Sequence, residues 1–239
     1  MQSSDDLVQC AGRISLHVGT AQWAYAQRHS AAIEQHWQKA KSATPTFFNG
    51  VVHLIDRIEM GEGTFSGELV KTDFKSYLYW RDRGFPAEAN VIDGFGSALI
   101  RSAEGHIILG RQRPGNVNAG LAYLPGGFID SSDVDERGAV DIAASVAREV
   151  REETGLGAAE LAAQPGFLVT RTGAHASFAV DYRSALTSRE LAARIAAHIA
   201  AGPDPELAGA VVIERYEDCA QVAMPPYAKV LLAHLFRTP

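Results

Sequence analysis

The chain has 239 residues, 46% of them hydrophobic, enough for one large packed domain or two modest ones. A formal net charge of −6 excludes a global basic field that would hold a nucleic-acid backbone, so an anionic ligand would need local help from a metal or a few arginines. No apolar run reaches the roughly 18 residues of a membrane span. The opening MQSSDDLVQC carries acids where a secretory leader would carry positive charge, and Cys10 and Cys219 form no metal or disulfide pattern, so a cytoplasmic protein with reduced thiols is expected.

In chain order, Ile14 to His17 reads as a short strand. Trp23, Ala26, Ser30, Ile33, Trp37 and Ala40 then recur at spacings of three and four, which predicts one helix with a buried stripe. TPTFFNG breaks it. VVHLIDRIEM and TFSGELV, joined by Gly61-Glu62-Gly63, predict a hairpin, and DFKSYLYWRDR predicts a helix capped by Asp73. GFPAEAN offers little to bury and marks a domain boundary, giving an N-terminal domain over 1–88 and a second domain over 89–239. VIDGFGSALIRS and HIILGRQR predict two strands, followed by a glycine-rich passage from Pro114 to Gly138. GFLVTRTG and ASFAVDY form another strand pair. Thr187 and Glu190 have capping-box spacing before a helix bearing Leu191, Ile195 and Ile199. AVVIERY is a late strand, and Pro226 opens a terminal helix with Tyr227, Val230 and Leu231 inward.

The most informative stretch is AREVREETGLG, Ala147 to Gly157. On a helix Glu149, Glu152 and Glu153 share one face, while Ala143, Ala147 and Val150 fall on another that can pack on a sheet. Asp141 is placed to cap this helix and Gly155 to end it with a positive φ. Three neighbouring carboxylates repel by a few tenths of a kcal/mol per pair. Arg148 and Arg151 offset part of that. A hard divalent cation offsets it better, because it takes oxygen ligands and shares its charge among them. The plain alternative is a solvated acidic face with Glu/Arg pairing.

Together with LPGGFID, Leu124 to Asp130, this stretch resembles the Nudix box, G-x5-E-x7-REUxEExGU with U aliphatic. Arg148, Glu149, Val150, Arg151, Glu152, Glu153, Thr154, Gly155 and Leu156 complete its second half in order. The first half departs from it. Arg148 stands 21 positions after Gly127, where the pattern has about 14, so the loop holds roughly seven extra residues. Counting forward from Gly127 puts the missing glutamate at Asp133; counting back from Arg148 puts it at Val140. In the family that residue supports the arginine, and Asp133, Asp135, Glu136 and Asp141 are the candidates here.

The resemblance implies an α/β (α+β) protein, a Nudix-type α/β/α sandwich with a mixed sheet, preceded by a small α+β domain. It implies metal ligands at Glu149, Glu152 and Glu153, with the Gly127 carbonyl as a further one, and Arg148 orienting the glutamates. The implied ion is Mg²⁺, with Mn²⁺ as second choice. The implied reaction is metal-dependent cleavage of the diphosphate linking a nucleoside to another moiety, with a nucleotide sugar among the candidates. Bridging cations would neutralise the phosphate oxygens and acidify a water. For the general base Glu152 stands first and Glu206 second. Arg111 and Arg113, at a strand end before a glycine-rich loop, are candidates for phosphate binding, or else a solvated strand end.

Gly94 and Gly96 in GFGSAL lack the third glycine of a dinucleotide fingerprint and read better as strand positions needing small residues. The N-terminal stretch FFNG, hairpin and KTDFKSYLYWRD loosely resembles the extra domain of some hydrolases of nucleotide sugars. Its Phe74, Tyr77, Tyr79 and Trp80 could stack a base or sugar, but the favoured reading is core or a homodimer contact. The competing functional class is a non-catalytic Nudix-fold binding or regulatory module. A prenyl diphosphate isomerase would need a pocket cysteine that neither Cys10 nor Cys219 supplies.

Overall fold

A computed structural model describes residues 6–203 and 205–237. The chain forms two compact units. One holds the described residues up to Gly12, Phe95–Gly127 and those from Ile142 onward; the other holds Arg13–Gly94 and Phe128–Asp141. The chain therefore passes between units at four peptide bonds, where a single linker would cross once.

The first strand, β1 (Leu7–Ala11), belongs to the larger unit, whereas β2 (Arg13–Gln22) begins the smaller one. After it the expected single helix is two, α1 (Ala24–Arg28) and α2 (Ser30–Ala43), separated at His29, whose φ of −105° and ψ of 14° leave the helical region. The periodic stripe fails at the break: Trp23, Tyr25 and Ile33 are buried, and Ser30 is exposed. Stacking of Trp23 on Tyr25, with ring centroids 5.4 Å apart, and of Tyr25 against His29 sets a local aromatic cluster that outweighs the helical period. The hairpin is as expected, β3 (Val51–Gly61) against β4 (Thr64–Asp73), turning at Gly63 with φ of 68°. Asp73 caps α3 (Phe74–Asp82) by accepting from the Ser76 N–H. Tyr77, Tyr79 and Trp80 are buried in this unit and so serve as core.

In the larger unit the sheet runs β1-β10-β11-β5-β6-β12, from β5 (Asp93–Arg101), β6 (Ile107–Gln112), β10 (Phe167–Thr172), β11 (His175–Arg183) and β12 (Leu207–Ile213). Two-residue strands β7 (Ala122–Tyr123) and β9 (Ala162–Ala163) pair with β6 and β11. In the smaller unit the order is β3-β4-β2-β8, β8 being Ala139–Val140; β2 runs parallel to β4 and antiparallel to β8, so the sheet is mixed.

Helices α4 (Ile142–Thr154), α5 (Ser188–Ala201) and α6 (Pro226–Arg237) cover the larger sheet. Adjacent residues of β5 show that the helices lie on both faces. Phe95 meets Tyr227 of α6 at 4.8 Å between centroids, whereas a Cβ on Gly96 would lie 2.6 Å from Val146 of α4. Successive strand residues point to opposite faces, so α4 and α6 sandwich the sheet in an α/β/α arrangement. Gly96 is thus the small-residue position expected of GFGSAL. The Thr187/Glu190 capping box forms as expected at the start of α5.

Candidate functional site

Helix α4 is built on the stripe Ile142, Val146 and Val150, all buried, and stops at Gly155 with φ of 70°. The expected apolar face is therefore corrected: Ala143 and Ala147 are exposed. The shift matters chemically, because Glu153, three residues after Val150, continues the buried stripe and is only 5% exposed. The three glutamates are graded from interior to solvent. Glu153 is buried, Glu149 is 16% exposed at its side chain, and Glu152 is 58% exposed.

Each carboxylate has its own partners. Tyr123 donates its hydroxyl to Glu153 Oε1 at 2.6 Å, and the Gly126 N–H donates to Oε2 at 3.1 Å. Burial pushes the Glu153 carboxyl up to about 8; the Tyr123 hydrogen bond opposes this, and the charges of Glu206 and Glu149 add to it. Burial, with the Glu153 charge, also pushes the Tyr123 phenol up, so it remains the proton donor of the pair. Arg148 Nη1 bridges Glu149 Oε1 at 2.7 Å and Glu152 Oε2 at 3.2 Å. Among the described residues, no set of three or more His, Cys, Asp and Glu side chains is gathered closely enough to enclose a metal ion.

The loop after β7 is held tightly. Pro125 gives its carbonyl to the Ala98 N–H at 2.7 Å, and a Cβ on Gly126 would come within 2.2 Å of the Gly96 carbonyl oxygen. At Gly127 a Cβ would lie 2.7–2.9 Å from the Glu149 carboxylate, so that carboxylate rests directly against the Gly127 backbone. A family model described as a NUDIX domain matches residues 93–220, more than half of the chain. The chain belongs to the Nudix family. It is a Nudix hydrolase, acting on phosphoanhydride bonds.

Solved structures similar to this Nudix chain include RenU, a Nudix hydrolase from M. smegmatis, at 18% identity, covering 59% of this chain and 82% of that one with a TM-score of 0.40. The MutT protein of Methanosarcina mazei is 20% identical over 61% of this chain and 94% of its own, with a TM-score of 0.38. DR0079 of Deinococcus radiodurans is 17% identical over 60% and 83%, with a TM-score of 0.43. No curated protein matches the chain. Among the described residues no helix is long and apolar enough to cross a membrane.

Other residues of the Nudix domain singled out in the sequence fall into two groups. Arg113 donates its backbone N–H to the Glu206 carbonyl and its Nη1 to the Pro205 carbonyl at 2.8 Å, which joins the end of β6 to the start of β12. Glu206 is solvent-exposed, yet its charge acts on Glu153. Arg111 instead turns its Nη1 to the Gly120 carbonyl. Of the acids considered as partners of Arg148, Asp133 closes a capping box by accepting from the Asp130 N–H, and Asp135 accepts from the N–H groups of Arg137 and Ala139.

Two participants were not foreseen. Tyr123 is one; the signal was an aromatic residue two positions before Pro125-Gly126-Gly127. His198 is the other, its Nε2 donating to the Glu152 carbonyl at 2.8 Å and tying α5 to the last turn of α4. Helical spacing within α5 gave no sign of that.

The donor chemistry fits a hard divalent cation. All the acidic groups on α4 offer oxygen, and the Glu149 carboxylate and the Gly127 backbone already adjoin. Among the described residues the Glu152 carboxylate is held only by an exposed ion pair, a contact of about 0–1 kcal/mol that an ion can displace.

Proposed function

We propose that the Nudix domain is a metal-dependent pyrophosphohydrolase for a nucleoside diphosphate linked to a second group, with a nucleotide sugar among the candidates. Glu149, Glu152, Glu153 and the Gly127 carbonyl would hold Mg²⁺, or Mn²⁺ in its place. When bound, the ion would neutralise phosphate charge and acidify a water.

The observation that carries this reading is the Glu149 carboxylate seated against Gly127 while Arg148 spans Glu149 and Glu152. One guanidinium holds two carboxylates on one side of the helix against their mutual repulsion. Glu153, clamped by Tyr123 and Gly126, cannot swing away from the loop that carries Gly127. Glu152, the most exposed of the three and paired to Arg148 through Oε2, is the best placed of them to take a proton from water, with Glu206 second. Arg111, next to last in β6, and Arg113, just after that strand, stand at the start of the loop and would supply the positive charge for phosphate.

The test is incubation with Mg²⁺ or Mn²⁺ and a panel of nucleotide sugars, dinucleotides and nucleoside triphosphates, with Glu152→Gln and Glu153→Gln beside the wild type. Turnover of one class by wild type, lost in folded variants, supports the reading. Equal phosphate release from all three proteins with every compound sinks it.

A further inference from the structure

The loop between the two halves of the box is 14 residues long, Phe128–Asp141, and it belongs entirely to the smaller unit. It is built into the smaller unit at four points. Phe128 meets the edge of Tyr77 at 4.7 Å between centroids. Ile129, fully buried, gives its carbonyl to the His53 N–H at 2.9 Å and to His53 Nδ1 at 3.3 Å; a carbonyl only accepts, so Nδ1 carries the proton. Ala139 and Val140 pair with His17 and Leu16 as the edge strand β8. The Val18 N–H donates to the Gly138 carbonyl at 2.8 Å.

The two ends of this loop are covalently the two flanks of the candidate site. One peptide bond before Phe128 lies Gly127, against which Glu149 rests; one after Asp141 lies Ile142, the first residue of the helix carrying all three glutamates. We propose that the smaller unit is a positioning element of the box: by holding the loop at Phe128, Ile129 and β8, it fixes the paths of Gly127 and of the first turn of α4. The arrangement deepens the hydrolase reading, since it explains how a box with a lengthened first half keeps its second half in register. It also gives the N-terminal region a task that needs no direct contact with substrate. Fixing the loop's backbone costs entropy, and the strand pairing, the buried Ile129 and the aromatic edge offset that cost. Loosened from them, both flanks inherit its freedom.

The experiment is hydrogen–deuterium exchange by mass spectrometry on the full metal-free chain, which needs no turnover. Phe128→Ala is compared with wild type, and Phe128→Leu substitutes for it if the first variant does not fold. His53→Ala removes the Nδ1 donor to Ile129, and His53→Asn returns an amide donor to the same carbonyl. Exchange should accelerate in 128–141 and, with it, in peptides covering 122–127 and 142–153, by about tenfold, the factor equivalent to 1.4 kcal/mol of local stability. His53→Asn should restore part of the protection that His53→Ala loses. Acceleration confined to 128–141, with the flanking peptides at wild-type rates, overturns the proposal. A wild type that hydrolyses nothing in the panel would sink the proposed substrate class and leave this result standing.

Discussion

Tyr123 and Glu153 are joined inside the larger unit by a 2.6 Å hydrogen bond, phenol to carboxyl, at the point where the buried stripe of α4 reaches the loop before the box. Removing the hydroxyl alone, in Tyr123→Phe, keeps the ring and leaves Glu153 Oε1 without its donor. A buried acceptor so deprived costs about 1–3 kcal/mol. Urea unfolding should show that loss, and a midpoint equal to the wild type would mean that the bond contributes nothing. Turnover should fall as well, because among the described residues the Gly126 N–H would then be left to hold the Glu153 carboxyl.

The same pair gives the protein a pH signature. Glu153 has its carboxyl pushed from an ordinary 4.5 up to about 8, by burial first. The folded chain therefore holds this proton more tightly than the unfolded chain. The stability it contributes is complete below about pH 4.5, declines as pH rises, and is gone above about pH 8. Unfolding midpoints of metal-free protein at about pH 5, 7 and 9 should fall along that series, and Glu153→Gln should flatten it. A wild-type profile no steeper than that of Glu153→Gln would show that the carboxyl titrates normally.

How much of this was legible beforehand differs by element. The second half of the box was plain in the sequence because its residues are contiguous on one helix. The hairpin, the Asp73 cap and the Thr187/Glu190 box were plain for the same reason: each is a local pattern with a local cause. What local pattern could not show was which side of α4 faces the sheet. Ala143 and Ala147 looked apolar enough, but Ile142 and Val146 bury more surface, and they rotate Glu153 inward. The break at His29 and the passage of Phe128–Asp141 into the smaller unit depend on partners far along the chain, Tyr79 and Tyr77 among them. The seven extra residues were countable; their destination was not.

Two adjacent glycines should respond differently to the same added methyl. In Gly126→Ala the new Cβ meets backbone, the Gly96 carbonyl oxygen, which cannot move without displacing β5. Overpacking of that kind costs about 1–3 kcal/mol or more. In Gly127→Ala its three nearest neighbours are all atoms of the Glu149 carboxylate, the far end of a flexible side chain. Gly127→Ala should therefore fold with near wild-type stability and still lose turnover, since Glu149 is pushed from its seat. Thermal unfolding beside an activity assay separates the two. Equal stability loss in both variants would contradict the packing described for Gly126, and full activity in Gly127→Ala would remove Glu149 and Gly127 from the proposed site.

Glu152 offers the sharpest separation of chemistry from structure. Its side chain is exposed and its ion pair with Arg148 contributes about 0–1 kcal/mol, so Glu152→Gln should change stability by no more than about 1 kcal/mol. Loss of a general base costs a factor of about 10²–10⁴ in rate. Glu206→Gln is the comparison, because Glu206 stands second for that role and its charge already reaches Glu153. If Glu152 takes the proton, kcat should collapse in Glu152→Gln and fall only modestly in Glu206→Gln. The reverse order would move the base to the segment before β12. Arg148→Ala then reports on placement: without Nη1 between them Glu149 and Glu152 lose their shared partner, so the dissociation constant for Mn²⁺ should rise while the fold persists. An unchanged Mn²⁺ affinity in that variant would show that Arg148 does not organise the glutamates for an ion.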